Sequence, residues 1–331
     1  MNFWQQLPKP FFVLAPMADV TDAPFRRMIA KHSAHERLDG TIGGPDVMWT
    51  EFVAADGLVR ATEEGKKKLM ADLIYSEEER PIVAQLFTSN PEHMEYAANL
   101  CRELGFDGVD INMGCPDKSI EKQGCGSAMI KNPDRAAEII RAAKRGAKGI
   151  PVSVKTRLGY NRDQLEEWLP AILAEAPAMV TLHARTRKEM SKVPARWERI
   201  ARAVEIRNEL GSETLIVGNG DAESVADARR KALLSGADGV MLGRAIFGNP
   251  WLFHPEKDAS NVSLEERMQV MIEHTRLFEK LLPFKNFATM KKHYKAYVNT
   301  FPGAGELRAE LMEKNTSDEI AEVVDRFLRR Y

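Results

Sequence analysis

Cysteine is scarce in this 331-residue chain: three residues at unrelated spacings, matching neither a disulfide framework nor a zinc pattern. Long apolar runs are missing as well. No stretch approaches the roughly 18 consecutive apolar residues of a membrane helix, and residues 1–10 lack the charged start and apolar run of a secretory leader. Excess charge of one sign is also missing. Forty-seven basic against 48 acidic residues leave a formal charge of -1, so any nucleic-acid contact must come from a local patch. The seven histidines show no ligand spacing, so no metal is expected. No internal repeat or low-complexity tract is present, and no G-x-G-x-x-G follows the first strand-like run, which argues against a dinucleotide-binding open sheet. What these absences leave is a soluble protein in a reducing, cytoplasmic setting, with ordinary globular contents of 44% hydrophobic and 29% charged residues.

What is present is an alternation of short apolar runs with helical patterns, extending to about Trp251. The expected strands cover residues 11–17, 47–52, 82–87, 108–113, 152–158, 179–184, 215–220 and 239–244. Runs such as VLAPM, IVAQLF and LIVGNG are continuously apolar, the mark of parallel strands buried on both faces. Asn90-Pro91 and Asn132-Pro133 each place a capping side chain before a first-turn proline, opening helices over 92–104 and 134–148. About eight strand–helix units predict an α/β protein, a (β/α)8 TIM barrel over residues 1–253. After Trp251 the strand signal stops. Helical patterns over 263–282, 284–300 and 306–331 predict a small all-helical C-terminal domain, residues 254–331.

In such a barrel chemistry gathers at the C-terminal strand ends. Here those ends carry Pro16-Met17, Thr50-Glu51, Gln85, Asn112 to Cys115, Lys155 with Arg157, His183 with Arg185, Asn219-Gly220-Asp221, and Gly243-Arg244. So many polar ends together point to an anionic, heteroatom-rich ligand. The glycines after the seventh and eighth strands let backbone amides approach a phosphate, and Arg244 adds a planar clamp; the competing reading is that they only permit tight turns. Lys155, inside an apolar strand, needs an anion or strong acceptor to offset desolvation, unless it forms a structural salt bridge. His183 reads equally as a ligand donor or a satisfied core histidine.

Cys115 lies in N-M-G-C-P directly after a strand, on a sharp turn that exposes its thiol at the barrel mouth. A thiol, with an ordinary pKa of about 8.5, is protonated at neutral pH and suited to general-acid work. Cys125, between glycines, is the competitor, on an expected mobile loop. Cys101 falls on a helix and reads as a small buried residue.

These segments carry a family resemblance. A-P-M-A-D-V-T-D-A-P-F-R-R, A-Q-L-F, D-I-N-M-G-C-P-D-K, V-K-T-R-L-G, L-H-A-R-T, V-G-N-G-D and M-L-G-R-A-I-F-G-N-P-W, in this order, resemble the tRNA-dihydrouridine synthases. M-K-K-H-Y-K-A-Y and G-E-L-R are similar to the family's C-terminal domain. The resemblance implies a barrel that holds FMN, a helical RNA-binding domain, and NADPH as reductant. It implies flavin contacts from Pro16, Met17, Ala18, Gln85, Lys155 and His183, with Asn219, Gly220, Asp221, Gly243 and Arg244 at the phosphate end. Hydride would pass from flavin N5 to C6 of a flipped-out uridine, Cys115 would protonate C5, and Asn112 and Arg157 would orient the base. Three places depart from the family pattern: residues 39–49, Ala184 after His183, and S-K-V-P-A-R-W before the helix that follows.

RNA contacts are expected from Arg185 on the rim and from Lys291, Lys292 and His293 in the tail. The tail residues lie in a cluster with Lys285 and Lys295 that no acid interrupts and that Tyr294 and Tyr297 interleave; the bland reading is a solvated helix face. The expected partner is RNA, tRNA first and rRNA second, bound by a monomer. Two other readings stand beside this one: a flavin barrel reducing a free pyrimidine-like molecule, and a non-catalytic RNA-binding barrel.

Overall fold

The computed structural model describes residues 2–37 and 40–330. The chain divides into two compact units, each drawn from two stretches: Met1–Ala18 with Asp46–Gly243, and Asp19–Pro45 with Arg244–Tyr331.

In the first unit the continuous apolar runs become eight strands: β1 (Phe11–Leu14), β2 (Met48–Ala54), β3 (Ile82–Phe87), β4 (Gly108–Asn112), β5 (Val152–Arg157), β6 (Met179–His183), β7 (Leu215–Asn219) and β8 (Gly239–Leu242). They pair in parallel and in chain order from β2 to β8, and β8 pairs with β1. Backbone bonds close the remaining seam, Leu14 N–H to Val47 O at 3.1 Å and Asp46 N–H to Phe12 O at 2.8 Å. The Asp46 carboxylate accepts the Phe12 N–H at 2.7 Å, so the seam leaves that donor satisfied. The result is the closed eight-stranded barrel expected from the pattern. The two asparagine caps form as anticipated: Asn90 accepts from Glu92 N–H at 2.9 Å at the head of helix Pro91–Glu103, and Asn132 from Arg135 N–H at 3.1 Å at the head of Pro133–Ala147.

Alternate side chains along each strand point into the cylinder. Part of that interior is apolar, a single cluster that includes Phe11, Val13, Val47, Trp49, Val83, Met179, Val217 and Met241. Phe11 packs so closely on β8 that a Cβ at Gly239 would sit 2.5 Å from its ring. The short 3-10 turn Phe3–Gln6 seats Trp4 in the same cluster, its indole 5.8 Å from the Phe11 ring and 5.6 Å from Trp49. Since Phe11, Met179 and Leu215 all begin their strands, this indole plugs the N-terminal end of the barrel. The rest of the interior, along β3 to β6, is polar, with Gln85, Asp110, Ser153, Lys155 and Thr181.

The second unit is helical. Its helices are Ala23–His32, Leu264–Leu281, Lys291–Tyr297, Ala304–Leu311 and Ser317–Leu328, with a two-residue antiparallel pairing of His35–Glu36 and Ile42–Gly43. The odd glycine-rich approach to β2 lies partly in that pairing, while its Leu38 and Asp39 fall outside the described residues. Two expected helices change extent. Residues 306–331 hold two helices, because Thr316 and Glu319 form a capping box that starts a new one. Within 284–300 only Lys291–Tyr297 is α-helical, after the 3-10 turn Phe287–Met290.

His293, expected as an RNA-facing cation, lies in the core of this unit with no accessible surface. Its ring centroid is 4.8 Å from Phe25, 4.7 Å from His274 and 6.2 Å from Phe247. Tyr294 and Tyr297, expected among the basic residues of the RNA face, are buried beside it. Burial brings the His293 imidazole down to about 3, against about 6.5 in an unfolded chain. Between those values the unfolded chain binds more protons, so stability falls as the pH is lowered through this window. His293→Phe is expected to flatten the acid dependence of the urea midpoint between pH 6.5 and 3. An unchanged slope would mean that another group sets it.

Candidate active site at the barrel mouth

The polar interior begins with a buried carboxylate. Asp110 on β4 accepts from Gln85 Nε2 and from Ser153 Oγ, both at 2.6 Å. Burial pushes its carboxyl up to about 6, against the pull of those two bonds. Asn112, two residues further along β4, donates from Nδ2 to Gln85 Oε1 at 3.0 Å. Lys155 is two residues beyond Ser153 on β5 and in register with Asn112 and Thr181. Its Nζ meets Asn219 Oδ1 at 3.3 Å, and Asn219 Nδ2 is tied to Met241 O at 2.8 Å. Desolvation first, and the neighbouring Arg157 second, bring the Lys155 amine down to about 8. Thr181 Oγ1 is buried without a hydrogen-bond partner among the described residues.

Beyond Asn112 the chain turns through Met113-Gly114-Cys115-Pro116. Asn112 Oδ1 caps this turn, accepting from Gly114 N–H at 3.1 Å and Cys115 N–H at 2.9 Å. Arg157 Nε donates to Gly114 O at 2.7 Å, and a Cβ on Gly114 would lie 3.3 Å from the Thr156 backbone, so glycine lets the turn press against β5. From the other side, Ser127 donates from both N–H and Oγ to Cys115 O at 2.9 Å. Gly126, at φ +59°, permits that approach, since a Cβ there would be 2.7 Å from Cys115 O. Cys115 is half-buried, packed against the cluster of Phe87, Ile120 and Cys125, and burial pushes its thiol pKa up. It is therefore protonated at neutral pH.

Cys125 is not on an open loop. It is fully buried with Phe87 and Ile120, and burial lifts its thiol to about 11. Its neighbouring glycines serve a tight packed turn rather than mobility. Cys101 is buried on its helix, as expected, with its thiol at about 12.

On the far side, β6 ends at His183 and the loop that follows folds back on itself through Arg185. That guanidinium lies 3.2 Å from His183 Nε2, donates from Nε to Val193 O at 2.6 Å and pairs with Asp221 through Nη2. Asp221 also accepts Ala195 N–H at 2.9 Å. Gly220, at φ +127°, holds a conformation that favours glycine, and Trp197 Nε1 donates to its carbonyl at 2.9 Å. Thus Arg185 and Asp221, expected on two different ligands, are paired with each other. Arg157 also uses donors on the protein, reaching Thr186 O at 3.3 Å and Met190 O at 3.2 Å. Asp221→Ala would leave the almost fully buried Arg185 side chain without its carboxylate. It is expected to cost on the order of 3 kcal/mol by urea unfolding and to expose residues 186–195 to proteolysis. Stability within about 0.5 kcal/mol of wild type would show that the pair is not structural.

Of the remaining expected site residues, Pro16 and Met17 are partly buried and Ala18 is exposed. Gly243 has room: a Cβ there would make only ordinary contacts, 3.6 Å to Ala15 and 3.7 Å to Met17 Sδ. Arg244 is exposed and opens the second unit, and Lys291 and Lys292 are partly exposed at the start of its helix Lys291–Tyr297. Sequence reasoning missed Asp110, Ser153 and Thr181. The signal was available: each is polar, inside an apolar strand, and two residues before a residue already singled out.

Among the described residues no helix is long and apolar enough to cross a membrane, and no group of three or more His, Cys, Asp or Glu could hold a metal.

The family model described as "Dihydrouridine synthase (Dus)" matches residues 13–331. The probable tRNA-dihydrouridine synthase 2 of Bacillus subtilis (strain 168) is 40% identical over 336 residues, covering 100% of this chain and 98% of that protein. The probable tRNA-dihydrouridine synthase of Staphylococcus aureus (strain MRSA252) is 39% identical over 329 residues, covering 98% and 95%. Among solved structures, morphinone reductase in complex with tetrahydroNAD is a distant likeness, with a TM-score of 0.48 and 13% identity over 74% of this chain and 85% of that one. With the family pattern running from β1 to the last helix and full-length relatives at about 40% identity, the chain belongs to the dihydrouridine synthase family.

Proposed function

We propose that this chain reduces uridine in tRNA to 5,6-dihydrouridine, with FMN as its flavin, NADPH as the electron source and Cys115 as the proton donor. The observation that carries the reading is the Cys115 thiol: protonated at neutral pH, on a half-buried residue, and held on a turn braced by Asn112, Arg157 and Ser127. A general acid needs both the proton and the fixed position.

The donor set fits a flavin. Among the described residues Lys155 has one long hydrogen bond, and its amine is depressed, so an anionic ring edge would relieve its desolvation. Gln85 and His183 would bond the ring and ribityl region beside it, and Pro16, Met17 and Ala18 would line the ring. Asn219, Gly220, Gly243 and Arg244 would take the phosphate end, where Asp221 would act through its hold on Arg185. When bound, FMN supplies the reducing equivalents taken up at uracil C6, and NADPH replenishes them.

The chain's own residues do the rest. Asn112 and Arg157 hold the turn against β5, which fixes where the thiol stands relative to a flipped-out base. The thiol gives its proton to C5 and regains one from water after release. Lys291 and Lys292, with Lys285 and Lys295, give the helical unit a basic surface for RNA phosphates.

The test is to incubate the purified protein, FMN and NADPH with unmodified tRNA and rRNA transcripts and measure dihydrouridine by nucleoside mass spectrometry. Dihydrouridine is expected in tRNA. NADPH consumption without dihydrouridine in any transcript or in cellular RNA would overturn the RNA reading in favour of a free pyrimidine-like substrate.

A further inference from the structure

Asp110 makes no hydrogen bond to the Cys115 turn, yet it stands at the root of a chain of bonds that ends there. An ionised carboxylate can only accept, and here it accepts Ser153 Oγ on one oxygen and Gln85 Nε2 on the other. A carboxamide has one donating end and one accepting end. With Nε2 committed to Asp110, Gln85 turns Oε1 toward Asn112 at 3.0 Å. Asn112 must answer with Nδ2, which turns its Oδ1 to the N–H groups of Gly114 and Cys115. Each link runs in one sense only. Reversing either amide would set donor against donor, and the turn would lose its cap.

We propose that Asp110 is a positioning residue for Cys115: its carboxylate sets the sense of the Gln85 and Asn112 amides and so caps the turn that carries the thiol. The importance of that thiol rests on the function proposed above, but the chain of bonds stands without it. The rival role for Asp110 is to supply negative charge near Lys155. Asparagine at 110 separates the two. Its Oδ1 can still accept from Gln85 while its Nδ2 donates to Ser153 Oγ, whose hydroxyl then turns to Val109 O, 3.5 Å away. The sense is kept and the charge is lost.

The experiment compares purified wild type, Asp110→Asn, Asp110→Ala and Gln85→Met, all without added flavin. It reads backbone hydrogen exchange at Gly114 and Cys115 and the rate of Cys115 alkylation by iodoacetamide. Asp110→Ala and Gln85→Met are expected to speed exchange at both amides by about tenfold, the equivalent of one lost hydrogen bond, and to change the alkylation rate in parallel. Asp110→Asn is expected to stay within about twofold of wild type on both readouts. Gln85→Met keeps the side-chain length and leaves Asp110 in place, so it tests the chain even if Asp110→Ala fails to fold. Unchanged exchange in Gln85→Met would overturn the proposal, and so would losses in Asp110→Asn as large as in Asp110→Ala. If the exchange results come out as expected while no RNA gains dihydrouridine, the positioning role stands and the functional reading fails.

Discussion

Cys115→Ala is expected to slow dihydrouridine formation by about 10²–10⁴-fold, the range for loss of a positioned general acid. Reduction of the bound flavin by NADPH should be unchanged, because the role proposed for the thiol is on the base alone. Cys115→Ser should fall between the two, since a hydroxyl of the same reach is a far weaker acid. The pH dependence has a sign fixed by burial. As the proposed proton donor the thiol would work protonated, and its pKa is raised, so its contribution would be complete through neutral pH and lost only above the ordinary thiol range. The Lys155 amine, at about 8 without a ligand, would be held charged by the anionic ring edge proposed beside it, so it adds no earlier fall. Single-turnover rates from pH 6 to 10 should show one step in wild type, above the ordinary thiol range. A Cys115→Ala enzyme that keeps more than a tenth of the wild-type rate would remove the thiol from the chemistry.

The second large effect joins binding to stability with opposite signs. Lys155→Met should weaken flavin binding by about 10²-fold, the equivalent of one charge-assisted hydrogen bond. In the flavin-free protein the same change should stabilise the fold. The amine lies near 8 in the folded chain, against about 10.4 when unfolded, so its charged form is disfavoured by folding. That penalty is fully present below pH 8 and fades as the pH rises toward 10.4, because there the unfolded chain holds the extra proton. Allowing for partial exposure, the gain at pH 7 is on the order of 1–2 kcal/mol. Fluorescence titration with FMN and urea unfolding at pH 7 and 10 measure the two halves. Loss of stability at pH 7 would mean that the lysine is already well paired without a ligand.

The barrel was legible because its strands are buried on both faces, which forces continuous apolar runs, and because Asn90 and Asn132 announce their helices. Cys115 was legible for a local reason, a glycine and a proline flanking it at a strand end. The pairing of Arg185 with Asp221 was not, since 36 positions separate them and neither neighbourhood points to the other. Cys125 misled because glycines suggest freedom, while its burial comes from Phe87 and Ile120. The tail misled differently. Lysines at 291, 292 and 295 drew attention to charge, yet Met290, His293, Tyr294 and Tyr297 recur at the spacing of one buried helix face, and that face is where they lie. Asp110 was overlooked because the Asn112 to Cys115 turn beside it drew the reading to the strand's end.

The indole of Trp4, seated across the foot of the barrel, has a kinetic corollary. With apolar side chains filling that end, a ligand can approach only from the opposite rim, where the polar strand ends lie. Were the proposed nicotinamide and nucleobase both to meet a flavin there, they would compete for one face, and turnover would alternate between them, with an excess of either slowing the other.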